Sequence, residues 1–76
     1  MYVLLLRTGR YYVGSTNDVE RRLVQHQMGR VISTKGQLPV RLLYVREYAT
    51  LTEARQMEVH IKRMKSRKYV EEFMGS

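Results

Sequence analysis

Three residues, Thr8-Gly9-Arg10, separate two runs rich in Tyr, Val and Leu at positions 2–7 and 11–15. A connection that short cannot carry a parallel crossover, so the two runs must pair antiparallel as a hairpin. The rest of the chain has to pack against that hairpin. With 76 residues and no cysteine, positions 1–76 hold one domain, and its core must do without disulfides or a cysteine-based zinc site.

After the hairpin the pattern changes to helical. Asn17 can cap a helix, with Glu20 three residues on, and Val19, Leu23 and Val24 give it an apolar face. Gly29 supplies a left-handed residue at its end. Residues 30–39 read as a loop. Residues 41–48 read as a third strand, and the unbroken Leu42-Leu43-Tyr44-Val45 centre predicts burial on both faces. Thr50 and Glu53 form a capping box. Ala54, Met57, Ile61 and Met64 then recur at helical spacing, in a helix ending within residues 65–67. Residues 69–74 read as a short third helix that packs Val70 and Phe73 on the core. The order is β-β-α-β-α-α, an α/β (α+β) fold in which helices cover a small mixed sheet.

Fourteen Lys and Arg oppose seven Asp and Glu, for a net charge of +7. A field of that sign attracts polyanions, with DNA, RNA and anionic membranes as the classes to weigh. The apolar run Val3-Leu4-Leu5-Leu6 falls far short of the roughly 20 residues that span a bilayer. No membrane partner is expected, and the chain reads as cytoplasmic. Between positions 55 and 68 there are six Lys or Arg against one Glu. With Arg30, Lys35 and Arg41 around the central loop and tyrosines interleaved, this suggests a phosphate-contacting surface.

Four features sit uneasily in a plain core. Arg22 and His26, four apart, share a helix face beside the Val19/Leu23 stripe. Glu58 flanks the apolar face of the second long helix, where a carboxylate needs a partner; Lys62 one turn on, or a metal ion, would serve. Tyr11 and Tyr12 must point to opposite faces of their strand. Gly14 weakens a strand unless something approaches the backbone closely.

Together these residues resemble the GIY-YIG endonuclease superfamily. Tyr12-Val13-Gly14 is similar to the second half of the name motif. Residues 17–26, reading Asn-Asp-Val-Glu-Arg-Arg-Leu-Val-Gln-His, are similar to the helix that follows it. Ser33-Thr34-Lys35-Gly36 and Pro39 resemble the loop of the small stand-alone bacterial members. Ala54-Arg55-Gln56-Met57-Glu58, with Ile61-Lys62, resembles the helix that carries the metal-binding glutamate. The first half of the motif departs: it reads Tyr2-Val3-Leu4, so leucine stands where the family has a tyrosine.

The resemblance implies a three-stranded antiparallel sheet flanked by helices and a metal-dependent endonuclease that hydrolyses DNA phosphodiesters, with branched or damaged DNA in repair or recombination as the expected setting. It implies catalytic roles for Tyr12, Arg22, His26 and Glu58. Glu58 would hold Mg2+ or Mn2+, Arg22 a nonbridging phosphate oxygen, and Tyr12 the attacking water, with His26 assisting proton transfer or phosphate binding. Arg30, Lys35, Arg41, Lys62, Lys65 and Arg67 would contact the nucleic acid, DNA first and RNA as the other candidate. Leu4 favours the alternative of a non-catalytic nucleic-acid-binding module on the same fold.

Overall fold

The computed structural model describes residues 1–75. Strand β1 (Tyr2–Leu5) and strand β2 (Tyr11–Gly14) form the expected hairpin. Helix α1 (Val19–Gln27) follows, then a single 3-10 turn (Lys35–Gln37), strand β3 (Arg41–Val45), helix α2 (Leu51–Met64) and helix α3 (Arg67–Gly75). The order β-β-α-β-α-α is thus the one read from the residue pattern.

The sheet is antiparallel throughout, in the order β2-β1-β3. The mixed sheet suggested by the pattern does not form. Strands β2 and β3, joined through α1, do run in the same direction, but β1 lies between them and opposes both. The family resemblance implied this arrangement.

Strand β1 therefore has neighbours on both sides and is covered on both faces. Its side chains alternate, as the period of a strand requires. Val3, with Met1 and Val13, packs under Ala54 and Ile61 of α2 and Val70 of α3. Tyr2, Leu4 and Leu6 pack the other way, with Val40, against Val19 and Leu23 of α1 and Leu38 of the loop. Val3 and Leu4 are fully buried. Burial of such a side chain contributes about 1.5–3 kcal/mol.

Strand β3 differs from its expectation. It ends at Val45 rather than 48, and Leu42, Leu43 and Val45 are exposed. As an outer strand it has a neighbour on one side only, so its apolar run does not mean two covered faces. Met64 and Val24, expected on apolar helix faces, are also exposed; each lies beyond the width of the stripe that meets the sheet.

The helix ends follow side-chain capping chemistry. Asp18, not Asn17, caps α1, accepting from the Arg21 amide at 3.1 Å. The two residues are adjacent Asx types, and the geometry selects the second, so Glu20 does not close a capping box. Thr50 caps α2 as expected, accepting from the Glu53 amide at 3.2 Å. Gly29 adopts a φ of 72° after α1, the conformation for which glycine is suited. Lys65 takes a left-handed φ of 46° at the end of α2 and turns the chain into α3.

Candidate active site

Arg22 and His26 stand one turn apart on α1 and reach the Tyr2/Leu4 side of the sheet. His26 is fully buried. Its Nε2 lies 3.0 Å from the Tyr2 hydroxyl and its Nδ1 lies 2.8 Å from Thr34 Oγ1. Burial, with the Arg22 charge adding to it, pushes the imidazole pKa below its ordinary value. The ring is thus kept neutral near pH 7, and it is not available to touch a phosphate directly. Tyr12 meets it edge-on, with ring centroids 5.1 Å apart, and Tyr2 lies 6.4 Å from Tyr12.

Gly14 explains how Tyr2 gets there. The two residues are partners in the hairpin register. A Cβ on Gly14 would stand 2.5 Å from the Tyr2 hydroxyl oxygen and 2.6 Å from its ring carbon. The phenol ring crosses the hairpin through the gap that glycine leaves. This is the close approach that Gly14 announced in the sequence.

Arg22 is half-buried, and its Nη1 donates to Gln25 Oε1 at 3.0 Å. The Tyr2 hydroxyl is the largest influence on its pKa and raises it, so the guanidinium is a fixed cation. Tyr2 itself is 2% exposed. Its pKa is raised, by burial first, against the lowering effect of Arg22. Leu4 pairs with Tyr12 across the hairpin and is fully buried. The position at which the resemblance calls for a tyrosine is therefore part of the core.

Glu58 comes from α2, on the opposite face. Its Oε1 accepts from Ser15 Oγ at 2.6 Å, and its Oε2 pairs with Lys62 Nζ at 2.7 Å. Of the two partners left open by the sequence analysis, the lysine is the one engaged. Ser15 is the shared element. It follows β2 directly, and together with Arg22, Arg21 and Arg55 it lines a cleft of about 340 Å3. Lys62 reaches around the free edge of β2 to within 5.5 Å of the Tyr12 ring centroid. Residues from both faces thus meet at that edge.

The basic residues divide into two groups. Lys62, Lys65 and Arg67 line a cavity of about 520 Å3 with Arg10, Tyr11 and Tyr12. Arg67 lies 4.3 Å from the Tyr11 ring centroid and donates to the Gly9 carbonyl. Arg30, Lys35 and Arg41 are exposed and do not line that cavity. Ser15, Tyr2, Thr34 and Arg10 were absent from the expected set. The inward period of Tyr2, Leu4 and Leu6 was the available signal for Tyr2. Thr34 carried none, since its role depends on how the loop folds back over His26.

The donor set can be compared with what a divalent metal needs. Among the described residues no three His, Cys, Asp or Glu side chains cluster, which argues against a zinc-type cage. Glu58 offers a hard oxygen at a position that already holds a cation, the half-exposed Lys62 ammonium. That fits a hard divalent ion held by one or two carboxylates with several waters retained.

A hairpin with Tyr12 and Gly14 on its second strand, an arginine on the next helix and a glutamate on a later one define a GIY-YIG-type nuclease domain. The chain belongs to the GIY-YIG family: the GIY-YIG catalytic domain matches residues 1–70. Members of this family are nucleases that act on nucleic acid and use divalent metal ions. Within it, the chain is similar to a UPF0213 protein of Streptococcus pneumoniae serotype 4, at 44% identity over 76 residues, covering 99% of this chain and 76% of the relative. It is also similar to UPF0213 proteins of Bacillus licheniformis, at 39% identity over 93% of this chain and 77% of the relative, and of Oceanobacillus iheyensis, at 37% over 84% and 76%. No solved structure matches significantly. Among the described residues no helix is long and apolar enough to cross a membrane.

Proposed function

We propose that this single domain is a metal-dependent endonuclease that hydrolyses phosphodiester bonds in DNA, with branched or damaged duplexes as preferred substrates, in the bacterial cytoplasm. One observation carries the reading. At the free edge of β2, Ser15 donates to the Glu58 carboxylate and lines a cleft with Arg22, while Tyr12 lines a second cavity with four basic residues, Arg10, Lys62, Lys65 and Arg67.

In this reading a phosphate enters the cleft at Arg22, whose planar fork suits two phosphate oxygens. Glu58 would hold Mg2+ or Mn2+, supplying Lewis-acid stabilisation of charge at the phosphate and the leaving oxygen. Ser15 holds the carboxylate in place. With the ion bound, Lys62 would leave Glu58 and place its charge on the nucleic-acid backbone beside Tyr12. The Tyr12 hydroxyl orients the attacking water. His26 acts behind this front, through Tyr2. Lys65 and Arg67, with Arg10, grip the strand along the 520 Å3 cavity, while Arg30, Lys35 and Arg41 contact more distant phosphates.

The buried Leu4 favours a second reading, a nucleic-acid-binding module without catalysis. A cleavage assay on single-stranded, duplex and branched DNA, with RNA alongside, separates the two. The nuclease reading expects Mg2+-dependent cleavage that Glu58→Ala and Arg22→Ala lower by about 100-fold or more. Binding without cleavage by the parent supports the module, and variants that cut as well as the parent sink the enzyme reading.

A further inference from the structure

Glu58 stands between two basic grooves, and its two oxygens touch a residue of each. Oε1 accepts from Ser15 Oγ at 2.6 Å, and Ser15 lines the 340 Å3 cleft with Arg21, Arg22 and Arg55. Oε2 pairs with Lys62 Nζ at 2.7 Å, and Lys62 lines the 520 Å3 cavity with Arg10, Lys65 and Arg67. Nuclease chemistry at Glu58 draws on Arg22 alone from the first groove, which leaves Arg21 and Arg55 without a task.

The cations of that groove are open to an anion. Arg21 and Arg55 are exposed, and Arg22 is half-buried. The salt bridges among the described residues, Lys62–Glu58 and Arg67–Glu71, use none of the three. Arg22 donates to Gln25, a neutral partner. Asp18 also lines the cleft, but its Oδ1 already accepts from the Arg21 amide at 3.1 Å. Three arginines against one aspartate leave the lining positive. Phosphate groups are the complement, since each offers a charge and oxygens that fit a guanidinium fork.

The positive surface continues past this cleft. Arg55 also lines a depression of about 480 Å3 on the exposed face of α2, with Gln56, His60 and Arg63. Among the described residues no acidic side chain lines it. Arg55 and Arg63 stand about 12 Å apart along the helix axis. One strand of a duplex carries a phosphate every 3.4 Å or about that, so the depression is long enough for more than one.

We infer that Arg21, Arg55 and Arg63 form a second phosphate track, so that a DNA strand is held on both sides of Glu58 and runs through the site rather than ending in it. The track deepens the nuclease reading and rests on it for the identity of the phosphate that is cut; the grip itself is a matter of binding. Anchors on both sides fix the reacting phosphate between them, as orientation at a catalytic group requires. A strand without ends is then as good a ligand as a strand with them.

Anisotropy of a labelled DNA single strand, measured without divalent ion, tests the track apart from cleavage. Arg21→Gln, Arg55→Gln and Arg63→Gln should each flatten the salt dependence by about 0.7 in slope and weaken binding about fivefold at about 0.1 M salt. Arg55→Lys, which keeps the charge, should keep the parental slope. Lys68→Gln removes one charge from a residue that lines none of these surfaces, and it should leave the slope unchanged. A single-stranded circle should bind as tightly as the linear strand. Arginine variants with the slope of Lys68→Gln overturn the inference, as does a circle that binds more weakly than the linear strand. If the variants behave as expected and the parent, given Mg2+, leaves DNA intact, the nuclease reading fails and the track stands. Mg2+-dependent cleavage with unaltered slopes has the opposite meaning.

Discussion

The two faces of the sheet are built from alternate residues of the same strands, yet they differ in kind. Under α2 and α3 lie Met1, Val3, Val13, Ala54, Ile61 and Val70, an apolar layer edged by aromatic rings. Under α1 the layer holds Tyr2, Leu4 and Leu6 beside Tyr12, with buried His26 and Thr34 threaded through it. The first face supplies cohesion, and the polar atom it leaves buried without a hydrogen-bond partner is the Tyr48 hydroxyl. The second accepts the desolvation of an imidazole and two hydroxyls, which satisfy one another. One side of β1 is thus apolar and the other carries buried polar groups, and the two meet where Lys62 reaches around the edge of β2.

The largest break in that contrast should come from Ile61→Ala, which opens a cavity on the apolar face. Leu or Ile to Ala in a core costs about 2–5 kcal/mol, out of roughly 4–11 kcal/mol for a chain of this size. Urea unfolding should show that loss, while the cleavage rate per folded molecule stays near the parent's. Arg22→Ala should do the reverse. Loss of a donor that stabilises developing charge lowers kcat by about 100- to 1,000-fold, and the unfolding midpoint should barely move.

A smaller effect sharpens the cost of the polar face. His26 has a folded pKa below its unfolded value of about 6.5. Below pH 6.5 the unfolded chain takes up the proton first, so the contribution of neutral His26 is full above that pH. It is lost as pH falls through the depressed folded value. Melting temperature followed from pH 8 to pH 5 should decline over the acid half of that range. A folded His26→Asn variant, less stable throughout, should show less of that decline. The smallest change is expected at the outer strand: Leu43→Thr on exposed β3 should alter stability by no more than about 0.5 kcal/mol. A large loss there would mean that β3 is covered by a partner in solution.

Much of this frame was legible in the residues because it depends on local chemistry. The three-residue turn dictated the hairpin, Thr50 and Glu53 marked the start of α2, and Gly14 signalled a close approach before the approaching ring was known. Arg22 and His26 were visible as a helix-face pair. What was not legible depends on long-range folding. Tyr2 meets His26 across 24 positions, and Ser15 meets Glu58 across 43. No spacing rule covers either distance. The apolar run of β3 read as doubly buried because composition cannot distinguish a central strand from an outer one. Arg30, Lys35 and Arg41 were grouped with the other cations on charge alone, and charge does not say which way a loop runs.

Leu4 constrains its own replacement. Sealed in the core and paired with Tyr12, it is a position that a tyrosine could enter only by displacing packed neighbours. A larger ring with an oxygen would have to enter a filled space, at a cost of about 1–3 kcal/mol from overpacking alone, before any benefit was realised. A tyrosine at position 4 would therefore have to be introduced together with smaller neighbours to be accommodated.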